Sequence, residues 1–118
     1  MQHTVSRLDD LPGFAMAPGV TGRPLFGDRS MLNLVELEPG AIVAEHDHPH
    51  EQLTVILDGG MVLVVDGVEL HLGPRDALAI PSGTRHAGIA DATGCTVLDV
   101  FTPIREDMRA RLAAAQAG

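Results

Sequence analysis

The sequence predicts an all-β barrel or jelly roll followed by one short C-terminal helix. Three observations carry that prediction. From Met31 onward, short apolar or alternating runs recur between turn residues every 6–12 positions, enough for eight or so strands. One of these runs, Val68-Glu69-Leu70-His71-Leu72, alternates by parity behind Asp66-Gly67, a strong two-residue hairpin signal. Beyond Phe101 the period changes, and Ile104, Met108, Leu112 and Ala115 recur at near-helical spacing.

Length and composition set the frame. At 118 residues the chain is one domain with a single core, and 45% hydrophobic residues are too many for disorder. The expected organisation is an N-terminal arm at 1–30, a barrel at 31–101 and a helical tail at 102–118. Eight Lys and Arg against 16 Asp and Glu give a net charge of −8, which argues against nucleic acid or an anionic membrane as partner. An acidic substrate would need locally placed cations. The single cysteine, Cys95, excludes an internal disulfide. Nothing in the first thirty residues reads as a signal peptide, and no apolar run approaches the ~20 residues of a spanning helix. The expectation is a soluble, cytoplasmic protein.

Residues 1–30 are rich in Gly, Pro and Asp, which favours turns and at most short edge strands. Such an arm is where small β-barrels often pair, so a homodimer is expected. Met31–Glu38 is the first convincing strand, and Pro39-Gly40 turns it into Ala41–His48. Gln52–Leu57 follows, then a turn at Asp58-Gly59-Gly60 and the run Met61–Val65, apolar on both parities as for a strand buried on both faces. Val68, Leu70 and Leu72 are expected to face in, Glu69 and His71 out. Asp76–Ile80, Arg85–Ala90 and Cys95–Phe101 complete the strands, the last two separated by a turn at Asp91–Gly94. Thr102-Pro103 suits an N-cap and first helical position, and Glu106 and Asp107 suit the helix's positive end.

The chemistry concentrates in His46-Asp47-His48-Pro49-His50-Glu51-Gln52. Residues two apart on a strand share a face, so His46 and His48 can aim two imidazoles at one point. Pro49 ends the strand, and the turn returns Gln52 beside the pair. This is most of a metal site, one ligand short. A lone His-x-His pair is more often a surface feature; the longer spacing changes that. Gly40, His46-x-His48, Gln52 and Gly59 resemble the first motif of the cupin superfamily, with glutamine in place of its usual glutamate. Pro81-Ser82-Gly83-Thr84-Arg85-His86 resembles the second motif and offers His86 as the missing ligand. Arg75 stands where that motif usually begins with glycine, and Ala90 where it often ends in asparagine. The resemblance implies a cupin-type jelly roll with one divalent metal (Zn, Ni, Mn or Fe) on His46, His48, Gln52 and His86. Four neutral donors leave the ion's charge uncompensated, which favours Lewis-acid over redox chemistry.

The neighbouring residues have two readings each. His50 shares the ligands' parity but lies in the turn, so it either contacts substrate or belongs to the surface. Glu45 and Glu51 have the opposite parity and read as solvated, unless a bulge turns one inward. His71 reads as surface, and Cys95 as a small buried hydrophobe. By periodicity alone, Asp99 lies either outside, with Leu98 and Val100 in the core, or inside with Phe101.

Resemblance adds a further expectation. Leu98-Asp99-Val100-Phe101-Thr102-Pro103, followed by Arg105-Glu106-Asp107, resembles the KdgF-type pectin-degradation cupins, over roughly Met31 to Asp107. Members of that family convert 4,5-unsaturated uronates into linear keto forms at a metal site. The resemblance implies that Asp99, Phe101 and Arg105 are active-site residues. Asp99 would move a proton and Arg105 would clamp the carboxylate of a small-molecule substrate. A polyketide-cyclase or dioxygenase-like tailoring cupin, and a metal-binding small-ligand module without turnover, are the alternatives.

Overall fold

The structure, a computed structural model, describes residues 3–118. A 3-10 turn at Leu8–Asp10 leads into strands β1 (Phe14–Ala17), β2 (Val20–Phe26), β3 (Met31–Leu37) and β4 (Ile42–His46). Then come β5 (Glu51–Val65), β6 (Val68–Leu72), β7 (Ala77–Ile80), β8 (His86–Thr102) and helix α1 (Glu106–Ala117). All pairings are antiparallel.

Two long strands organise everything else. The first half of β5 pairs with the last part of β8, and β1, β2, β3 and β7 extend that layer on either side. The second half of β5 pairs with the start of β8, and there β4 and β6 are the outer neighbours. Register shifts between Ile56 and Asp58 and between Gly59 and Met61 let the strands pass from one layer to the other. The result is a jelly roll. At the crossing, Gly59 has φ +72°, and a Cβ there would fall on the Gly94 carbonyl oxygen. Only glycine fits such a position.

This corrects the expectation of turns at Asp58–Gly60 and Asp91–Gly94. Both segments are bends inside continuous strands, because cross-strand pairing on either side carries the ladder through them. Residues 14–26, expected to hold at most short edge strands, form the β1–β2 hairpin. β2 is an interior strand paired with β3 along its whole length, and Phe14 and Val20 are core residues. Pro24 is tolerated because β1 pairs with β2 only as far as Gly22, so β2 is locally an edge there. Met1 and Gln2, the start of the expected arm, lie outside the described residues.

Met61 and Leu63 are buried, but Val64 is exposed, so the run Met61–Val65 buries one face rather than two. Val68, expected to face in, is 59% exposed, since β6 is a sheet edge and none of the described residues covers the tip of its hairpin. The Asp66-Gly67 turn itself is as expected, with both residues at positive φ.

The main core joins Val20, Val35, Leu37, Ile56, Leu63, Ile80 and Val97 between the layers. A second cluster of Phe14, Met31, Phe101, Ile104 and Met108 fastens the tail to the barrel. Arg111 Nη2 adds a 2.7 Å hydrogen bond to the Ala15 carbonyl. The helix begins at Glu106 rather than at Thr102-Pro103, because Thr102 stays in the ladder opposite Glu51. Met108 is buried and Leu112 packs on the second cluster, whereas Ala115 is exposed.

Arg75 makes one departure costly. Its φ is +75°, the left-handed region that glycine enters freely, and its N–H donates to the Ile56 carbonyl at 2.8 Å. Arg75→Gly is expected to stabilise the protein by about 1 kcal/mol, the order of the left-handed penalty, offset in part by unfolded-state entropy. Chemical denaturation of both proteins checks the sign.

Candidate metal centre and active site

Four segments converge at one end of the barrel. His46 ends β4 and pairs with His86, the first residue of β8. His48 follows in the loop that Pro49 shapes. Gln52 and Thr54 lie on β5 opposite Phe101 and Asp99 of β8. Strand parity therefore puts Gln52, Thr54, Asp99 and Phe101 on the inner face. This settles the two readings of Asp99: it faces in with Val97 and Phe101, and Leu98 and Val100 are half-buried on the outer face.

Backbone carbonyls fix the three imidazoles. Nδ1 of His46 lies 2.8 Å from the Ala44 oxygen, Nδ1 of His48 2.9 Å from that of His50, and Nδ1 of His86 2.8 Å from that of Thr84. A carbonyl only accepts, so each Nδ1 is the protonated nitrogen and each Nε2 carries a lone pair. Ligand atoms of the three rings lie within 4.8 Å of one another. His86 Nε2 is buried with no hydrogen-bond partner among the described residues. His48 Nε2 faces Gln52 Oε1 at 3.0 Å, an acceptor against an acceptor. Burial, then the positive charge of Arg105, lowers the His48 pKa; burial also lowers that of His86. Burial thus favours the neutral form of His48 and His86, each with an Nε2 lone pair. A buried cluster of acceptors with no donor is satisfied by a cation, so the donor set fits a divalent metal.

Asp99 lies beside this cluster. Its Oδ1 accepts from Thr54 Oγ1 at 2.8 Å and from Gln52 Nε2 at 3.3 Å, and Oδ2 makes no hydrogen bond among the described residues. Burial pushes its pKa up to about 6, against the opposing pull of the Thr54 and Gln52 hydrogen bonds and of Arg105. A cavity of about 70 Å³ runs inward from the site. His46, Gln52, His86, Asp99, Phe101 and Arg105 line its polar end, while Val35, Leu37 and Leu63 line its apolar end. That volume holds a few water molecules at the ~10–15 Å³ each requires, so a larger ligand must extend into the mouth.

Arg105 is the N-cap residue of α1, and its guanidinium lies 5.0 Å over the Phe101 ring. Its Nε and Nη2 donate to Asp107 at 3.2 and 2.8 Å. Asp107 thus takes one edge of the planar group and leaves the Nη1 edge free for a second acceptor. His50 is not in this cavity. It lies in an adjoining cleft with His48, Arg105 and Asp107, and its Nδ1 is buried without a partner.

Glu45 and Glu51 are exposed, as their parity implies, and Glu45 pairs with Arg85 at 3.4 Å. His71 is exposed beside Glu69. Cys95 is buried, and its thiol pKa is raised by that burial to about 11, which leaves it inert. Sequence reasoning missed Thr54. Its only signal is that it shares the parity of Gln52 on β5.

A cupin-domain family profile matches residues 33–101, more than half of the chain. The chain belongs to the cupin family. Among solved structures this cupin resembles KdgF from Halomonas sp., with a TM-score of 0.84 and 25% identity, covering 91% of this chain and 99% of that one. It also resembles the polyketide cyclase RemF from Streptomyces resistomycificus, with a TM-score of 0.75 and 25% identity over 88% of this chain and 81% of that one. A stretch of 56 residues is 38% identical to the tetracenomycin polyketide synthase protein TcmJ of Streptomyces glaucescens. That match covers 47% of this chain and 38% of that protein, so the cupin spans well under half its length. No helix among the described residues is long and apolar enough to cross a membrane.

Proposed function

We propose that this cupin is a metal-dependent, non-redox enzyme that opens and ketonises small 4,5-unsaturated uronates. The observation that carries the reading is Asp99, a buried carboxyl with one oxygen free, beside the imidazole cluster and on one cavity wall with Phe101 and Arg105. The likeness to KdgF supports it. A divalent metal on His46, His48, Gln52 and His86 would bind and polarise substrate oxygens.

The rest is the work of the chain's own side chains. Opening the ring breaks the hemiacetal C–O bond: the anomeric hydroxyl loses a proton and the ring oxygen gains one, which leaves an enol. Ketonisation then moves the enol proton from oxygen to the neighbouring carbon. No atom is gained or lost overall, so one carboxyl that accepts and returns a proton suffices. Burial raises the Asp99 pKa above the usual carboxylate range, which suits a group that accepts and returns a proton. Phe101 forms the wall between Asp99 and Arg105 and helps to keep water from the carboxyl.

Arg105 receives the substrate carboxylate on its free Nη1 edge, which offsets the protein's negative field. Its side chain is only 14% exposed, so the pair forms largely out of water. Arg105→Ala is expected to weaken kcat/KM for uronates by the equivalent of roughly 2–5 kcal/mol, and Lys is not expected to restore it. Asp107→Asn is the control. If Arg105 served only its pair with Asp107, both substitutions would have the same small effect. His50, beside Arg105 in the adjoining cleft, is proposed to contact the part of the substrate that projects from the mouth.

A metal-dependent polyketide cyclase is the second reading. The apolar inner end of the cavity and the similarity to RemF and TcmJ favour it. One assay panel separates the two: unsaturated uronates, neutral sugar analogues and aromatic polyketide-like acids, followed by loss of the conjugated absorbance or by NMR. Selective turnover of uronates supports the first reading. Turnover of the aromatic acids alone replaces it with the second, and no turnover of any compound leaves a ligand-binding module.

Pairing with a second copy is proposed through the outer face of the β5–β8 layer. There Leu53 and Leu57 are exposed and Val55, Leu98 and Val100 half-buried, with no element of the described residues covering them. Light scattering of the purified protein gives the mass directly; a monomer at micromolar concentration would end this proposal.

A further inference from the structure

Thr54 belongs to no motif, yet it joins the two halves of the site. Its hydroxyl has one proton, and the Asp99 Oδ1 acceptor 2.8 Å away takes it. Its lone pair is then left to receive Gln52 Nε2 at 2.9 Å. Gln52 Nε2 also reaches Asp99 Oδ1 at 3.3 Å. Reversing the Gln52 amide would set its oxygen against both acceptors at once, whether or not Asp99 Oδ2 carries a proton. With a cation between Oε1 and the imidazoles, the favoured amide orientation keeps Nε2 on Thr54 and Asp99. It turns Oε1 toward the rings, 3.0 Å from His48 Nε2. Glutamate at position 52 would put a second carboxylate oxygen against Asp99 and Thr54, which accounts for an amide where the family motif usually has an acid.

We propose that Thr54 is a positioning residue: its hydroxyl aims the Gln52 carbonyl oxygen at the metal and holds Asp99 Oδ1, leaving Oδ2 for the substrate. All three side chains are buried and line the cavity, where the Thr54 hydroxyl is the fixed bridge between the other two. The inference rests on reading His46, His48, His86 and Gln52 as the metal donors. It does not depend on which substrate is turned over.

The test is cobalt binding to the apoprotein, measured as affinity and as the visible ligand-field spectrum. Thr54→Val keeps the shape and removes the hydroxyl. It is expected to weaken Co²⁺ binding 10–100-fold, the effect typical of removing a group that orients a ligand, and to change the spectrum as the amide oxygen loses its fixed place. Thr54→Ser is expected to restore both. If Thr54→Val does not fold, Thr54→Ala against Thr54→Ser makes the same comparison. Wild-type affinity and spectrum in the hydroxyl-free variants would overturn the proposal, as would a Ser variant as impaired as Val or Ala. A wild type that binds no cobalt would overturn the metal reading itself, and this proposal with it.

Discussion

Asp99→Asn is expected to leave metal content unchanged and to lower uronate turnover by about 10²–10⁴-fold, the range for a lost acid–base group. The amide is nearly isosteric, so the wall of the cavity persists. It cannot carry the proton between oxygen and carbon. The pH profile separates this role from a structural one. Burial raises the Asp99 pKa to about 6, and a bound cation nearby pulls it back down. If the carboxylate starts the cycle, wild-type activity rises with pH to a plateau above about 6 and falls as the pH drops through the Asp99 pKa. The Asn variant should lack that limb. Metal content measured at each pH keeps imidazole protonation from being mistaken for it. Unchanged turnover in the variant would return Asp99 to a structural role.

The second large effect belongs to the imidazoles. His86→Ala removes one of the three imidazoles that could hold a metal and is expected to abolish stoichiometric binding of Zn, Ni, Mn or Fe, with turnover lost in step. His86 Nε2 has no hydrogen-bond partner among the described residues, but the substitution also removes the Nδ1–Thr84 hydrogen bond, so metal content and folding are measured together. Circular dichroism and elemental analysis of the same sample distinguish the two. A variant that still binds one tight equivalent would show that His86 is not a ligand.

Much of this site was legible because β-strand parity is a strict rule. Gln52 across the turn, and Asp99 with Phe101, follow from alternation once the strands are placed. The strand expected to run to His48 stops at His46, so His48 reaches the site from the loop and was found by motif spacing rather than by parity. The second motif brought His86 to them. The long strands were harder to read. Gly59-Gly60 and Asp91–Gly94 have turn composition, but their conformation is decided by partners more than thirty residues away, and local composition does not report those. The β1–β2 hairpin was hidden in the same way, because Pro24 and Gly22 look like loop residues until the short reach of β1 is known. Thr54 was invisible for a different reason: a hydroxyl acquires a role only through what it touches. Arg105 was expected from the resemblance to clamp a carboxylate, and the structure shows its pairing with Asp107. One edge of its guanidinium is held by Asp107, and the other is open.

The central claim is that three Nε2 atoms and one amide oxygen close on a single cation. Anomalous diffraction at the absorption edge of the loaded metal tests it most directly. One peak per chain is expected, about 2.0–2.3 Å from Nε2 of His46, His48 and His86, with Gln52 Oε1 turned toward it. A crystal soaked with Zn, Ni, Mn and Fe in turn that shows no peak there, or a peak bounded by other residues, would contradict it.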